Sequence, residues 1–213
     1  MLIGYGYVYN KRLQIKRIFG INIPANEVII GSGTYGIVYD VGNGMVLKIT
    51  GDPSEAQASN KIAGKKLKYV NEIYAVFQIQ HNVMYYGIIQ KKLNRVDWIH
   101  KKLWDAEDEF MDYLREEDLK DLNDKLFRIY YNELEENYPD INGSFLYYRT
   151  LGRFYRNAKA ELERYNIWFE DFHTGNIMQN GNQLKVIDLG ISATGGLKKI
   201  VTLESLIIKA NDA

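Results

Sequence analysis

The segment Val28-Ile-Ile-Gly31-Ser-Gly33-Thr-Tyr-Gly36-Ile-Val-Tyr39 decides the fold predicted for this chain. A short apolar run precedes three glycines with the spacing G-x-G-x-x-G, and β-branched residues follow them. In a dinucleotide-binding domain this spacing leads into a helix, whereas here it leads into a second strand. The glycines are therefore predicted at the tip of a β-hairpin, where the absence of Cβ atoms lets backbone N–H groups approach phosphate oxygens.

A lysine follows this hairpin in a predicted third strand, Met45–Ile49, at position 48. An ammonium group in a buried strand is costly unless its charge is paired. Glu55 is the best candidate partner, because Asp52-Pro-Ser54 is typical of a helix start and Glu55 comes directly after it. The alternative for Glu55 is a first-turn acid favoured by the helix dipole, and the fallback partner for Lys48 is Glu72.

Two further apolar runs, 73–79 and 83–89, predict two more strands joined by a tight turn at 81–82. With the first three strands they make a five-stranded antiparallel sheet, and the helix that ends near Gly64 packs with it. Residues 1–26 are expected to form one or two strands or a short helix with a packing role.

A second polar constellation lies near the C-terminal end, where Asp171-Phe-His-Thr-Gly-Asn176 is followed by Asp188-Leu-Gly190. Apolar residues on either side of an Asn-Gly-Asn turn predict a hairpin between them, which would bring Asp171, Asn176 and Asp188 together. Two carboxylates and an amide at one place suit Mg²⁺ and the removal of a proton from a hydroxyl. The alternative is that Asp171 and Asn176 are helix caps and that Asp188 is a turn residue.

The middle of the chain is predicted to be helical. Residues 94–140 have apolar side chains at helical spacing, with a break near 115–118 that indicates two helices. Ser144 is predicted to cap a long helix that runs to about Tyr165.

Charge is balanced overall but unevenly distributed along the sequence. The 213 residues include 27 acids and 27 bases, yet residues 105–140 hold 14 acids and 4 bases, which leaves 13 acids and 23 bases elsewhere. A basic remainder attracts a polyanion such as a nucleotide; alternatively, opposite halves of one fold attract each other. No stretch has the basic and aromatic pattern of a nucleic-acid module, so no nucleic-acid partner is expected.

The absence of cysteine excludes a disulfide framework and a cysteine metal site. The first ten residues lack a charged n-region and a long apolar core, and no apolar run approaches a membrane span. We therefore expect no signal peptide, no membrane partner and a cytoplasmic protein.

The glycine and aspartate motifs together resemble the protein-kinase-like superfamily, and the small size resembles the short serine/threonine kinases encoded by some phages. The glycine-rich loop is matched by Gly31, Gly33, Gly36 and Val38, and the strand lysine by Val46-Leu-Lys48. The catalytic loop is matched by Asp171 and Asn176, and Asp188-Leu-Gly190 stands where Asp-Phe-Gly would. The resemblance covers about residues 28–192.

The resemblance implies an α+β, two-lobed fold, with residues 1–93 as the N-lobe and 94–213 as a reduced, mostly helical C-lobe. ATP and Mg²⁺ are the implied cofactors. The implied nucleotide-binding residues are Gly31, Ser32, Gly33, Thr34, Gly36, Val38, Lys48, Glu55 and Gln90. The implied metal ligands are Asn176 and Asp188, and the implied catalytic residues are Asp171, Lys48 and His173.

Three departures from the usual kinase pattern modify these expectations. Phe169-Glu170 replaces the usual His-Arg, so no switch through a phosphorylated activation loop is expected. His173 is shared with aminoglycoside- and choline-type phosphotransferases, where it would either stabilise the γ-phosphoryl group or bond to the loop backbone. Only 23 residues follow Gly190, so either the acceptor site is minimal or a partner protein completes the C-lobe.

The function expected from this resemblance is that of an atypical, minimal Mg²⁺-ATP-dependent serine/threonine protein kinase with a protein substrate. If the chain is phage-encoded, its place is the host cytoplasm. One alternative is a kinase for small molecules of the aminoglycoside or choline type, with the acidic residues 105–140 lining a site for a cationic acceptor. A second alternative is a non-catalytic nucleotide-binding scaffold.

Overall fold

The fold is described from a computed structural model of the 213-residue chain. The structure describes residues 6, 8–24, 28–80, 83–96, 106, 109–110, 124–142, 144–190 and 192–211. The predicted turn at 81–82, the predicted helix break near 115–118 and residues 105, 107–108 and 111–123 of the acidic segment 105–140 lie outside the described residues.

Along the described chain, a group of five strands lies near the start, two long helices follow in the middle, and four short strands lie near the end. The helices are α1 (Arg12–Phe19), α2 (Pro53–Ile62), α3 (Asp124–Asn137), α4 (Phe145–Glu163) and α5 (Leu203–Asn211). The strands are β1 (Ile29–Ser32), β2 (Gly36–Asp40), β3 (Met45–Thr50), β4 (Ile73–Gln80), β5 (Val83–Lys91), β6 (Ile167–Phe169), β7 (Ile177–Asn180), β8 (Gln183–Val186) and β9 (Ser192–Thr194).

The main sheet has the strand order β1-β2-β3-β5-β4, and all its neighbouring strands are antiparallel. The chain is therefore an α+β protein with the predicted five-stranded antiparallel sheet. Strand β3 lies at the centre, with Lys48 opposite Val38 on β2 and opposite Ile88 on β5. The tight turn before β3 uses left-handed backbone at Gly42, Asn43 and Gly44, a conformation that glycine and asparagine adopt most readily.

The two faces of this sheet pack against different parts of the chain. One face forms an apolar core with α1 and α5, and its members include Ile15, Leu47, Ile49, Phe77 and Leu203. The other face lies against α2 and joins a second core that extends into α3, α4 and the β7–β8 hairpin. Because side chains alternate along a strand, β3 sends Leu47 and Ile49 to the first face and Lys48 to the second.

The second core is rich in aromatic side chains. Phe110 packs edge-to-face on Phe127 and Tyr148, and Phe172 of the predicted catalytic stretch packs on Tyr155 of α4. Helix α4 thus forms a rigid support directly beneath the segment that follows it.

Two predictions about helix ends are settled by the structure. The long helix before the catalytic stretch is confirmed as α4, but Ser144 makes no side-chain capping bond, so that prediction is wrong. Its backbone, at φ −90° and ψ 10°, lacks the extended conformation that lets a serine hydroxyl reach the first free N–H groups. The alternatives left open for residues 1–26 are decided in favour of a helix, α1, over 12–19.

Helix α5 packs against α1 and β4, on the side of the sheet opposite α2. The predicted division at residue 93 stays a prediction, but this part of 94–213 lies against the sheet. Of the helices that the structure describes, none is long and apolar enough to cross a membrane.

Candidate functional site

Lys48 is the centre of the candidate site. It lies in the middle of the central strand, and only 7% of its surface is exposed. The hairpin approaches the Lys48 side chain closely at Gly36. A Cβ atom on Gly36 would lie 2.8 Å from the Lys48 Cε atom and 3.3 Å from the Ile49 carbonyl oxygen. Any other residue at position 36 would therefore require the Lys48 side chain or the hairpin to shift.

The Lys48 ammonium group is shared by two carboxylates from distant parts of the chain. Its Nζ atom lies 2.6 Å from Glu55 Oε1 on α2 and 2.5 Å from Asp188 Oδ2 after β8. The predicted Lys48–Glu55 pair is thus confirmed, and α2 begins one residue before Ser54 as the Asp52-Pro-Ser54 pattern predicts. The fallback partner, Glu72, instead accepts a hydrogen bond from the Lys91 N–H through its backbone oxygen at 2.9 Å.

We call Lys48, Glu55 and Asp188 the triad. Burial and the charges of the neighbouring groups shift each of their pKa values in opposite directions. Burial lowers the pKa of Lys48, but Glu55 and Asp188 outweigh that effect and hold its pKa above the ordinary value. Burial raises the pKa of Asp188, but Lys48 outweighs it and the pKa lies below the ordinary value. For Glu55, burial dominates over Lys48 and raises the pKa to about 7. Lys48 and Asp188 are therefore charged at neutral pH, whereas Glu55 titrates near neutrality.

Asp171 and Asn176 meet in the loop before β7. The Asn176 side-chain Nδ2 donates to the Asp171 backbone oxygen at 3.0 Å and to Asp171 Oδ2 at 3.3 Å. The predicted hairpin between this loop and Asp188 is confirmed by the β7–β8 pair, and the Ile187 N–H donates to the Asn176 carbonyl at 3.0 Å. The side chains of Asp171 and Asn176 are thus hydrogen-bonded to each other, in agreement with the prediction that they lie at one place. Asp188 also fulfils the alternative role of a turn residue, because its Oδ1 accepts from the Gly190 N–H at 3.0 Å.

Gly190 marks the point where the carboxylates converge. A Cβ atom built on it would lie 3.3 Å from Asp188 Oδ1, 3.6 Å from Asp52 Oδ2 and 3.7 Å from Asp171 Oδ2. The absence of a side chain there leaves a small space edged by three acidic residues. The sequence predicts Asp52 only as part of the start of α2. Nothing in the sequence indicates that its carboxylate also lies close to Gly190.

These residues fit a magnesium ion, although they do not enclose one. Within the described ranges, no three His, Cys, Asp or Glu side chains are close enough to surround a metal ion by themselves. Mg²⁺ is usually bound by one or two carboxylates, with water and substrate phosphates as the other ligands. Asp188 borders the space at Gly190 and Asn176 contacts Asp171, which also borders it, so both residues lie near one place and carry oxygen donors of this kind. Their roles as metal ligands stay a prediction.

His173 lies beside the predicted catalytic aspartate. Its Nε2 atom is 4.0 Å from Asp171 Oδ2, and 43% of its side chain is exposed. Its ring covers Gly175, where a Cβ atom would lie 2.8 Å from the ring. The histidine is therefore within reach of Asp171 and partly exposed, and the choice between its two expected roles, at the γ-phosphoryl group or on the loop backbone, stays open.

The tip of the β1–β2 hairpin carries the remaining predicted nucleotide contacts. Gly31 pairs with Val38, and the Gly33 N–H donates to the Gly36 carbonyl at 2.9 Å, which closes the turn. Ser32, Gly33 and Thr34 are exposed at this tip. This exposed tip is accessible to a ligand, as the sequence predicts for a phosphate-binding turn.

Gln90 lies within β5 rather than beyond it. It is paired with Val46 and with Ile73 in the two neighbouring strands, and its buried Oε1 accepts from Asn71 Nδ2 at 3.4 Å. Its side chain and its place in the ladder thus serve the sheet. A contact with a nucleotide stays a prediction for Gln90.

We compared the chain with protein-family models and with curated proteins. No protein-family model matches the chain, and no curated protein matches it.

Proposed function

We propose that the protein is an Mg²⁺-ATP-dependent phosphotransferase with a two-lobed, protein-kinase-like fold, and that it phosphorylates serine or threonine hydroxyls of proteins. The observation that carries this proposal is Lys48, which is buried under a glycine hairpin and paired with both Glu55 and Asp188. A fixed cation beside an exposed, glycine-rich hairpin tip is suited to the α- and β-phosphates of a nucleotide. A purely structural lysine would have no use for the open hairpin tip.

The residues divide the work of phosphoryl transfer among them. Lys48 and the N–H groups of the hairpin tip bind and orient the phosphates. Asp188 and Asn176 would hold Mg²⁺, which would supply positive charge to neutralise the phosphates of the nucleotide. Burial of the triad strengthens these interactions, because the surroundings of Lys48 screen charge less than water does.

Asp171 is the residue proposed to take the proton. The acceptor hydroxyl gives its proton to Asp171 Oδ2, its oxygen forms a bond to the γ-phosphorus, and the bond between that phosphorus and the oxygen of ADP breaks. The Asn176 amide fixes the Asp171 carboxylate, as their 3.3 Å contact indicates. The 4.0 Å distance between His173 Nε2 and Asp171 Oδ2 supports a role for His173 in stabilising the transferred phosphoryl group; in the other expected role it only bonds to the loop backbone.

A small-molecule acceptor is the second candidate, and the course of the chain after Asp188 favours it. Residues 192–194 pair with β6, and the chain then runs to the main sheet. In the part of the chain that the structure describes, this segment adds no helix beside Asp171 to hold a polypeptide. A partner protein that completes the site stays a prediction for the protein-kinase proposal.

Transfer from γ-labelled ATP tests the proposal directly. The wild type and Asp188→Ala are incubated with Mg²⁺ and labelled ATP, alone and with a cell lysate. Label on proteins that is absent with Asp188→Ala supports the protein kinase. Label only on aminoglycosides or other small hydroxyl compounds supports the second candidate. Nucleotide binding without any transfer overturns both and leaves a scaffold.

Asp171→Asn separates chemistry from binding in the same assay. The substitution keeps the size of the side chain and its contact with Asn176 but removes the base. We expect turnover to fall by at least about 100-fold while the affinity for ATP changes little. Equal loss of turnover and binding would mean that Asp171 has a structural role.

A further inference from the structure

The chain after Asp188 crosses the C-terminal end of α2 before it reaches α5. Strand β9 fixes the start of this crossing against β6, and the Gln78 N–H fixes its end by donating to the Val201 carbonyl at 2.9 Å. Leu203 then enters the apolar core with no exposed surface. We call residues 194–200, held at both ends, the strap.

Lys61, in the last turn of α2, joins the helix to the strap. Its ammonium group donates to the carbonyl oxygens of Asn166, at 3.1 Å, and Tyr165, at 3.5 Å, and also to that of Gly195. The three donors of a lysine are thus matched by three backbone acceptors. Asn166 has a left-handed backbone, with φ 54°, in the turn that presents two of these carbonyls, and its own carbonyl accepts from the Gly195 N–H at 3.0 Å.

Asn60 makes a second, reciprocal connection to the strap. Its side-chain Nδ2 donates to the Lys198 carbonyl at 3.0 Å, and the Lys198 ammonium donates back to the Asn60 carbonyl at 2.8 Å. Carbonyls in the last turn of a helix have no partner within the helix, and a cation there also complements the helix dipole. Asn60 itself is 7% exposed, whereas Lys198 is exposed, so these bonds lie at the edge of the buried region.

Helix α2 buries few large apolar side chains, so such polar connections help to position it. It has 10 residues, a length that is marginal for a helix without tertiary contacts, and its buried apolar side chains are Ala56, Ala58 and Ile62. Alanine side chains bury little apolar area, so their packing does little to prevent the helix from shifting along the sheet. The hydrogen bonds of Asn60 and Lys61 at its C-terminal end hold it in position.

We propose that Lys61, together with Asn60 and the strap, holds α2 in place so that Glu55 stays on Lys48 without a partner subunit or a phosphorylated loop. Lys61 follows Glu55 by six positions, or about 9 Å along a helix, so a rigid α2 transmits the position of one to the other. Lys61 is a positioning residue and touches no substrate. Its catalytic consequence rests on the proposed phosphotransferase function, whereas its effect on α2 does not.

Lys61→Met tests this inference because it keeps the apolar stem and removes the ammonium group. Lys66→Met is the matched control, since Lys66 is an exposed lysine just beyond α2 with no hydrogen bond or ion pair among the described residues. Hydrogen exchange is measured for the amides of Glu55–Ile62 and, in the same samples, for those of β3. We expect exchange in α2 to accelerate by at least about tenfold with Lys61→Met, with β3 and the control unchanged.

Steady-state kinetics give the catalytic readout. Loss of alignment between Glu55 and Lys48 should lower kcat about tenfold with Lys61→Met while KM for ATP changes less than about threefold. In Lys61→Ala, n-propylammonium supplies the atoms that the substitution removes and should restore part of kcat, whereas n-propanol should not. A merely structural lysine would show no rescue that depends on the charge of the additive.

A milder variant keeps the inference testable if Lys61→Met fails to fold. Lys198→Ala removes only the donor to the Asn60 carbonyl from an exposed side chain, and faster exchange confined to α2 is expected again. Unchanged α2 exchange in the folded variants overturns the inference, even if the wild type transfers phosphate. Faster α2 exchange in Lys61→Met, found together with a wild type that transfers no phosphate, supports the role of the strap and overturns the proposed function.

Discussion

The two faces of the main sheet use the same strand for opposite purposes. On β3, Leu47 is fully buried in the apolar core beneath α1 and α5, where Phe19 stacks on Phe77 with ring centroids 5.4 Å apart. The next residue, Lys48, is almost as buried, but it lies among carboxylates under α2. Burial stabilises the fold on the first face, whereas on the second face it costs desolvation and fixes a charge in place. Burial alone therefore does not tell whether a residue serves stability or the site.

The largest expected effect comes from substituting these two neighbours separately. Lys48→Met should lower phosphoryl transfer by at least about 100-fold, because the charge that binds the phosphates is lost. Leu47→Ala should lower the free energy of unfolding by about 2–5 kcal/mol, with transfer per folded molecule nearly unchanged. Urea unfolding and labelled ATP measure the two quantities. Normal transfer by Lys48→Met would remove the functional distinction between the faces.

Gly190→Ala tests the polar face with a single methyl group. The new Cβ would lie 3.3–3.7 Å from oxygens of Asp188, Asp52 and Asp171, in the space where a cation would approach them. The backbone at Gly190 does not have a positive φ, so alanine adds no backbone strain, and a shift of the Asp188 carboxylate by a few tenths of an ångström accommodates the methyl group. Stability should therefore change by less than about 1 kcal/mol. Calorimetric titration should show at least about tenfold weaker binding of Mg²⁺-ATP. Titration with ATP and no metal is the control, and an equal loss there would place the effect on the nucleotide.

The protonation of Glu55 predicts a pH dependence of stability. Its pKa in the folded protein is raised from 4.5 to about 7, so the folded state binds more protons than the unfolded state between these values. The contribution of Glu55 to stability is therefore lost as pH rises through this window, by up to about 3 kcal/mol. Urea unfolding of the wild type and Glu55→Gln from pH 5 to 8 measures it. The difference between them should shift against the wild type as pH rises, and a constant difference would refute the raised pKa.

The smallest effects are expected at the helix starts. Asp52 Oδ1 accepts from both the N–H and the hydroxyl of Ser54 at 2.7 Å, so Asp52→Ala should cost about 1 kcal/mol. Ser144 caps nothing, so Ser144→Ala should stay within about 0.5 kcal/mol. Thermal unfolding compares them, with Asp52→Asn as the control that keeps the cap. A larger loss at Ser144 would mean that it stabilises α4 in another way.

Much of the sheet and of the candidate site was predictable because it depends on local sequence. The alternation in β3 and the glycine spacing before it define a hairpin within a few residues, and the Asp52-Pro-Ser54 start of α2 is equally local. The pairing of Lys48 with Glu55 follows from the cost of an unpaired buried charge. The cap at Ser144 failed for a local reason of another kind, because the residue type was right and the backbone conformation was not.

The sequence by itself determined the five antiparallel strands, the helix that carries Glu55 and the hairpin that joins Asn176 to Asp188, since each is encoded by contiguous patterns of apolar, turn and capping residues. Only the tertiary structure decided that Asp52 lies at the same space as Asp171 and Asp188, and that α2 is held by Lys61 through the strap. The acceptors of Lys61 are backbone carbonyls about 100 residues or more away in the chain. Every residue carries a carbonyl, so no residue type marks which of them will meet a lysine until the chain has folded.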